Sequence, residues 1–320
     1  VEKEMVTEKK LTMPVTGTKR KKFIGSEAFW CYLMIALPVI GFLALHVYPI
    51  LWTFKWSFFS YYGIESTARF IGLDNFKTFF TQDFTYWKAW GNTLIFAIIK
   101  MPIEITFAML LALALNKQMK GSGLYRAIYF LPNIISVAIV GLILSNMFSY
   151  NGIINNLLVK SGLLGENIDW FSDKWHAFAM IIMGSVWSTF GVNVMYLLAA
   201  LATVPEELYE SAEIDGASKA RRFFSITLSL IAPVFQTILL LSLIGSLSVN
   251  EYIIVLTNGG PHGQTNTVMS YLYTKFVPGF ADSANPQLGY GCAMSLVTTV
   301  IVAVIAIFYN RFSNKMKSLY

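Results

Sequence analysis

Charge is what this sequence has little of: Asp, Glu, Lys and Arg make up 13% of its 320 residues, against the ~25% of an ordinary soluble domain. With 55% apolar residues and a mean hydropathy of +0.56, a water-soluble fold could not cover its apolar surface, which excludes a typical cytosolic enzyme. Cysteine is nearly absent. Cys31 and Cys292 lie far apart inside apolar stretches with no Cys-x-x-Cys, so neither a disulfide framework nor a thiolate metal site is available. His46, His176 and His262 are equally scattered and leave no metal ligand set. There is no Gly-x-x-x-x-Gly-Lys-[Ser/Thr] to cradle nucleotide phosphates, and no nucleophile-base pair, so no catalytic residue is assigned and the chain is not read as an enzyme. The net charge of +6 sits in short clusters rather than in a basic stripe with aromatics, which argues for lipid headgroups over nucleic acid.

What is present is a series of long apolar runs. A helix needs about 20 mainly apolar residues to cross the hydrocarbon core. Residues 28–54, 127–159, 175–205, 223–250 and 283–310 contain no Asp, Glu, Lys or Arg, and 89–116 contains only Lys100 and Glu104. The expected spans are therefore about 29–54, 89–116, 127–150, 176–202, 232–256 and 288–310, six transmembrane helices of an all-α membrane protein within a domain of 28–315. Residues 1–27 and 316–320 read as cytoplasmic tails. The Lys19–Lys22 cluster before the first run suggests a signal peptide, but 28–54 is longer than the ~7 to 15 residues of such a core.

Orientation follows the Lys and Arg excess of cytoplasmic loops. With the N-terminus inside, sixteen of the 24 Lys and Arg residues fall on inner segments and seven on outer ones, Lys100 lying within the membrane; both termini are then cytoplasmic. Lys100 and Glu104, one helical turn apart, are expected to pair toward the bundle interior. Pro38, Pro49, Pro102 and Pro132 predict kinks. Trp30, Trp52, Trp56, Trp87, Trp90, Trp170 and Trp175 fall near span ends and read as interface anchors.

The densest mixed-sign cluster lies between spans four and five, at Glu206 to Arg222. Thr203 and Glu206 have the spacing of a capping box and predict a helix start. Gly216 supplies a left-handed residue to end it, and a second short helix is expected from Ala217, with Ala217, Ala220, Phe224 and Leu228 on one face. Two short helices, acidic then basic, would form a knob suited to docking.

These residues carry a resemblance. Glu210-Ser211-Ala212, Asp215-Gly216-Ala217, Phe223, Ile226, Leu228 and Pro233 resemble the EAA loop of permease subunits in binding-protein-dependent ABC importers. Ser211 stands for the usual first alanine, and Ser229 where a proline often follows the leucine. Gly72-Leu73-Asp74-Asn75-Phe76, Arg126 with Phe130-Leu131-Pro132, and Leu256-Thr257-Asn258-Gly259-Gly260-Pro261 are similar to the carbohydrate branch, the maltose-type permeases.

The resemblance implies a type I ABC importer permease bundle in a bacterial inner membrane, with an EAA coupling loop over 203–230. Glu207, Glu210, Ser211, Ala212, Asp215, Gly216, Ala217 and Arg221 would couple to an ATPase. Partners implied are a second homologous permease, two ATPase subunits that bind ATP and Mg, and an extracytoplasmic solute-binding protein delivering a sugar or oligosaccharide for alternating access. This chain would hold no cofactor of its own.

Polar groups inside spans are costly enough to suggest function. Asn193 and Tyr196 in span four, three residues apart on one helix face, and Ser246, Asn250, Glu251 and Tyr252 toward the outer end of span five are candidate substrate-pathway residues; amides, a carboxylate and aromatic faces suit a sugar. The bland alternative is that Asn193 and Asn250 only bond helix to helix. An ABC permease for another solute, such as glycerol phosphate, and an ion-coupled secondary transporter, which would lack a docking loop, remain the competing readings.

Overall fold

The computed structural model describes residues 26–116, 121–277 and 286–317. Most of the expected N-terminal tail, Lys117 and Lys120, and residues 318–320 lie outside the described residues. The chain divides into two compact units, at Trp52 and Thr53.

The first unit is the start of a long helix: α1 (Ser26–Phe42), a π-helical turn at Leu43–Val47, and α2 (Tyr48–Trp56), which runs across the boundary. The π turn has a cause in the sequence. Pro49 has no N–H to give to Leu45, and one residue earlier Tyr48 N–H reaches back five residues to Leu43 O, a shift in register that accommodates the missing donor. Its large apolar side chains, including Phe29, Leu37 and Leu45, are exposed, as suits a lipid-facing or partner-facing span.

The second unit opens with a small hairpin, β1 (Phe59–Ser60) antiparallel to β2 (Arg69–Phe70), and α3 (Asp74–Thr81). Asn75 fastens them by donating to Ser57 O and Phe59 O at 2.8 and 3.0 Å. Then come α4 (Phe84–Leu115), α5 (Ser122–Ile134), α6 (Val137–Met147), α7 (Ile153–Lys160), α8 (Lys174–Leu201), α9 (Glu206–Ile214), α10 (Lys219–Arg222), α11 (Leu228–Leu247), α12 (Glu251–Leu256), α13 (Val268–Phe276) and α14 (Leu288–Lys317). Five helices in the whole described chain are long and apolar enough to span a membrane, or six if the bent α5–α6 pair counts as one.

Two expected spans are broken. In place of one helix over 127–150, α5 and α6 meet at 95°. Pro132 survives inside α5, but Ile135 is extended, and the Ser136 hydroxyl accepts from Ala138 N–H to start α6 afresh; an N-cap serine wins over continued helix because it satisfies an otherwise orphaned donor. In place of one helix over 232–256, α11 ends at Leu247 and α12 starts at Glu251. The second short helix runs on into span five: Lys219 to Leu247 is one helical run with a π turn at Phe223–Thr227. Ser229 keeps an N–H where a proline often stands, and Pro233 is accommodated inside α11 without ending it.

The core is distributed. Ala108, Ala112, Leu197, Leu201 and Ile231 join α4, α8 and α11; Phe96, Leu144, Ile181 and Ile253 join α4, α6, α8 and α12; Phe79, Tyr86, Val268 and Met294 join α3, α4, α13 and α14. Close helix approach needs small residues, and a Cβ on Gly191 would strike the Tyr129 carbonyl of α5. Trp56 and Trp90, expected as interface anchors, are buried instead, Trp56 stacked on Tyr61 at 3.9 Å.

Candidate functional site

Three places hold the expected functional residues. The first is the loop between α8 and α11. Its helix α9 begins at Glu206 with Pro205 at the N-cap and no side-chain cap; the expected Thr203–Glu206 capping box does not form, because Thr203 Oγ1 donates to Ala200 O at 2.7 Å. Pro205 sets the entry instead, and Glu206 and Glu207 face the positive helix terminus. The far end is a Schellman turn: Gly216 at φ +75°, its N–H on Glu213 O at 3.0 Å and Ala217 N–H on Ala212 O at 2.9 Å.

Two ties hold this knob together that the sequence patterns did not single out. Tyr209 OH and Thr227 Oγ1 lie 2.8 Å apart, pinning α9 to the root of α11. Arg222 Nη1 donates to Glu213 Oε2 at 2.8 Å, with the arginine largely buried. Opposite charges nine residues apart across a glycine turn were the available signal. Glu207, Glu210, Ser211, Asp215, Gly216 and Arg221 are exposed, while Ala212 and Ala217 are half-buried. Around them Leu208, Ile214 and Phe224 are 41%, 86% and 65% exposed. The face expected from Ala217, Ala220, Phe224 and Leu228 is thus partly open, since Ala220 and Phe224 are exposed.

The second place is a buried polar junction. Lys100 Nζ and Glu104 Oε2 pair at 2.7 Å, both side chains almost wholly buried. Asn193 Nδ2 donates to Glu104 Oε1 at 2.9 Å, and Ser242 Oγ to Glu104 Oε2 at 2.7 Å. Ser246 Oγ donates to Ser242 O at 2.7 Å. Asn193 and Ser246 are therefore brought into one network, committed to protein partners. Tyr196, three residues beyond Asn193, is 46% exposed; the two do not share an environment.

The third place is the α11–α12 break. Asn250 is half-buried at the N-cap of α12 without a side-chain cap bond, Glu251 is exposed, and Tyr252 is buried. The Tyr252 hydroxyl faces Ser188, and neither hydroxyl reaches hydrogen-bond geometry. Ser188 carries no sequence signal beyond a hydroxyl in an apolar helix. A separate cavity of about 770 Å³ between α4, α6 and α8 is lined by apolar side chains such as Ile103, Phe107, Leu144 and Phe178, and offers a sugar no polar partner.

The Thr257–Pro261 motif folds inward. Asn258 at φ +49° and Gly259 at φ +81° turn the chain, and the Gly260–Pro261 bond is cis. Thr265 Oγ1 donates to Gly260 O at 2.7 Å. Asn92 Nδ2 of α4 donates to both Gln264 O and Asn266 O at 2.8 Å, and Thr93 Oγ1 accepts from Val268 N–H. Beyond it, Asp83 accepts from the hydroxyls of Tyr271 and Tyr290 at 2.9 and 2.8 Å. Burial and that carboxylate raise the Tyr271 hydroxyl above its ordinary pKa. Burial lowers Lys275, whose ammonium lies 4.8 Å over the Tyr271 ring, against the opposing pull of Asp83.

Residues 104–318 match the family described as the binding-protein-dependent transport system inner membrane component. The chain belongs to that family. This permease is 32% identical to the lactose transport system permease protein LacF of Rhizobium radiobacter over 87% of its own length and 91% of that protein's. It is 32% identical to the arabinooligosaccharides transport system permease protein AraP of Halalkalibacterium halodurans, with 89% of this chain and 88% of the relative covered. A bacterial alginate ABC transporter, solved in complex with an alginate pentasaccharide-bound periplasmic protein, has a chain that superposes with a TM-score of 0.77. It is 25% identical, with 91% of this permease and 96% of that chain covered. The permease is thus a multi-pass helical inner-membrane component of a transport system.

Proposed function

We propose that this permease is one membrane subunit of an ATP-driven importer for a sugar or oligosaccharide. One observation carries the coupling role: the α9–α10 loop is braced from within by Tyr209–Thr227 and Glu213–Arg222, yet presents Glu207, Glu210, Asp215, Arg221, Ile214 and Phe224 outward. A rigid knob with an exposed apolar centre and a charged rim has the composition of a docking surface. The lactose and arabinooligosaccharide relatives support a carbohydrate as solute.

In this reading six spans cross a bacterial inner membrane with both termini cytoplasmic, α5 and α6 together forming the third span. The domain runs over 28–315, flanked by tails at 1–27 and 316–320. A second permease completes the pathway. Two ATPase subunits, holding ATP and Mg, grip the loops over 203–230, and a solute-binding protein delivers sugar at the opposite face. Closure of the ATPases moves the knob, and α8 and α11 carry that movement into the membrane as alternating access. Asn250, Glu251 and Tyr196 remain free to meet solute; Asn193 and Ser246 reach it only by leaving Glu104 and Ser242, and Tyr252 contributes its hydroxyl beside Ser188.

The test is reconstitution of the purified complex in vesicles with its binding protein. ATP-dependent accumulation of a sugar from a panel of lactose, maltose and arabinose oligomers is expected, with ATPase subunits co-eluting. Accumulation driven by an ion gradient without ATP, or elution of this chain alone from gently solubilised membranes, would refute the reading. Replacing Asn250 and Tyr196 together by Ala is expected to cut uptake while leaving ATPase subunits bound; unchanged uptake removes them from the pathway.

A further inference from the structure

We propose that Glu104 is a positioning residue for transport: it clamps α8 and α11, the two helices that enter and leave the docking loop, to α4. The inference rests on the importer reading above. The carboxylate is 1% exposed, and each oxygen is engaged by a different helix. Oε1 accepts from Asn193 of α8 at 2.9 Å; Oε2 accepts from Ser242 of α11 at 2.7 Å and pairs with Lys100 of α4 itself at 2.7 Å. No other polar side chain in the described residues is bonded to both α8 and α11 side chains. Apolar packing between these three helices is non-directional and permits sliding, since lipid competes equally well for a leucine face. A carboxylate bonded on both oxygens fixes register and rotation together. Movement imposed at Glu206–Arg222 then shifts α4, α8 and α11 as one body instead of being lost as slippage of α8 against α11.

The buried charge makes a simple truncation uninformative, because Glu104→Ala leaves the Lys100 ammonium buried without its carboxylate and threatens folding itself. Two double variants avoid this. Lys100→Met with Glu104→Met removes charge and clamp together. Lys100→Met with Glu104→Gln removes charge but keeps an amide able to meet both Asn193 and Ser242. Both are compared in the reconstituted complex for solute transported per ATP hydrolysed. The Met pair is expected to retain its ATPase subunits and hydrolysis while transporting about tenfold less per ATP, within the range of residues that tune coupling, and the Gln pair to stay within about twofold of the parent. Equal transport per ATP in the two pairs overturns the proposal, as does a Gln pair as defective as the Met pair.

A second readout needs no solute. With Cys31 and Cys292 replaced by Ala, spin labels at Leu110→Cys of α4 and Leu230→Cys of α11, both exposed, report the α4–α11 distance with and without ATP. Narrow distributions are expected in the parent and the Gln pair, and a broadened one in the Met pair. A distribution equally narrow in all three overturns the clamp even where transport differs. If the Met pair fails to accumulate, Ser242→Ala, which keeps the ion pair, is measured in its place, and an unbroadened distance there has the same force. A parent complex that transports no sugar refutes the importer reading alone, since the distances still report on Glu104.

Discussion

The loops at 206–222 and 257–267 both carry residues that resemble motifs of importer permeases, and they use their polar groups in opposite ways. In the first, Glu206, Glu207, Glu210, Asp215, Lys219 and Arg221 face solvent, and Arg222–Glu213 and Tyr209–Thr227 are side-chain to side-chain ties held within the loop and its root. In the second, Thr265, Asn266 and Thr267 are buried and bonded, and Asn92 reaches in from α4 to take two of its carbonyls. Motif strength alone does not distinguish a surface built for a partner from a turn built to close the fold. The distinction lies in where the donors and acceptors end.

The largest effect is expected from Gly216→Pro. Proline holds φ near −65° where this residue sits at +75°, and it removes the N–H bonded to Glu213 O; the Schellman turn is lost at a cost of about 3 kcal/mol. ATPase subunits should no longer co-purify, while the permease still inserts. Retained ATPase would mean that the first loop is not the docking surface, and the contrast between the loops would collapse.

Next is Asn92→Ala, aimed at the second loop. One buried and one part-buried carbonyl lose their donor, for about 1 to 3 kcal/mol. Lower resistance to detergent unfolding is expected, with ATPase co-elution unchanged for the protein that remains. A selective loss of ATPase binding would show the two loops to be coupled rather than distinct.

Smaller still is Ile214→Ala. The side chain is 86% exposed, so permease stability should move by no more than about 0.5 kcal/mol. ATPase affinity should fall by about 1 to 2 kcal/mol if this residue fills a pocket on the partner. An effect on stability but not affinity would reverse the assignment of this residue.

Long helices over expected spans one, two, four and six were legible because long, mainly apolar runs dictate helix whatever the packing: 89–116 became Phe84–Leu115 and 176–202 became Lys174–Leu201. The breaks at Ser136 and Ser248–Asn250 were not, since serine and asparagine are tolerated inside membrane helices and only tertiary context decides that they cap. The loop's outward residues were legible from charge density and Gly216. The capping box at Thr203 was misplaced because Pro205 already fixes the helix start. The Lys100–Glu104 pair was readable from its four-residue spacing, but its capture of Asn193 and Ser242 was not, as helix-to-helix register is absent from a single sequence. That is why Asn193 was expected to share a pocket with Tyr196 yet is buried against Glu104, while Tyr196 is 46% exposed.

Ser211→Ala sharpens the comparison through the smallest change. Ser211 stands where the family usually has alanine, and a projecting hydroxyl there would crowd an approaching partner. The hydroxyl instead turns back to donate to Glu207 O at 2.9 Å along its own helix, a bond that competes weakly with the helix ladder. Removing it should raise the stability of α9 by no more than about 0.5 kcal/mol, the propensity difference between the two residues, and leave ATPase affinity unchanged. A measurable loss of affinity would place the hydroxyl in the interface. Exposed polar groups of this loop would then be contacts in their own right, and the exposed apolar centre at Ile214 and Phe224 would no longer be sufficient to explain docking.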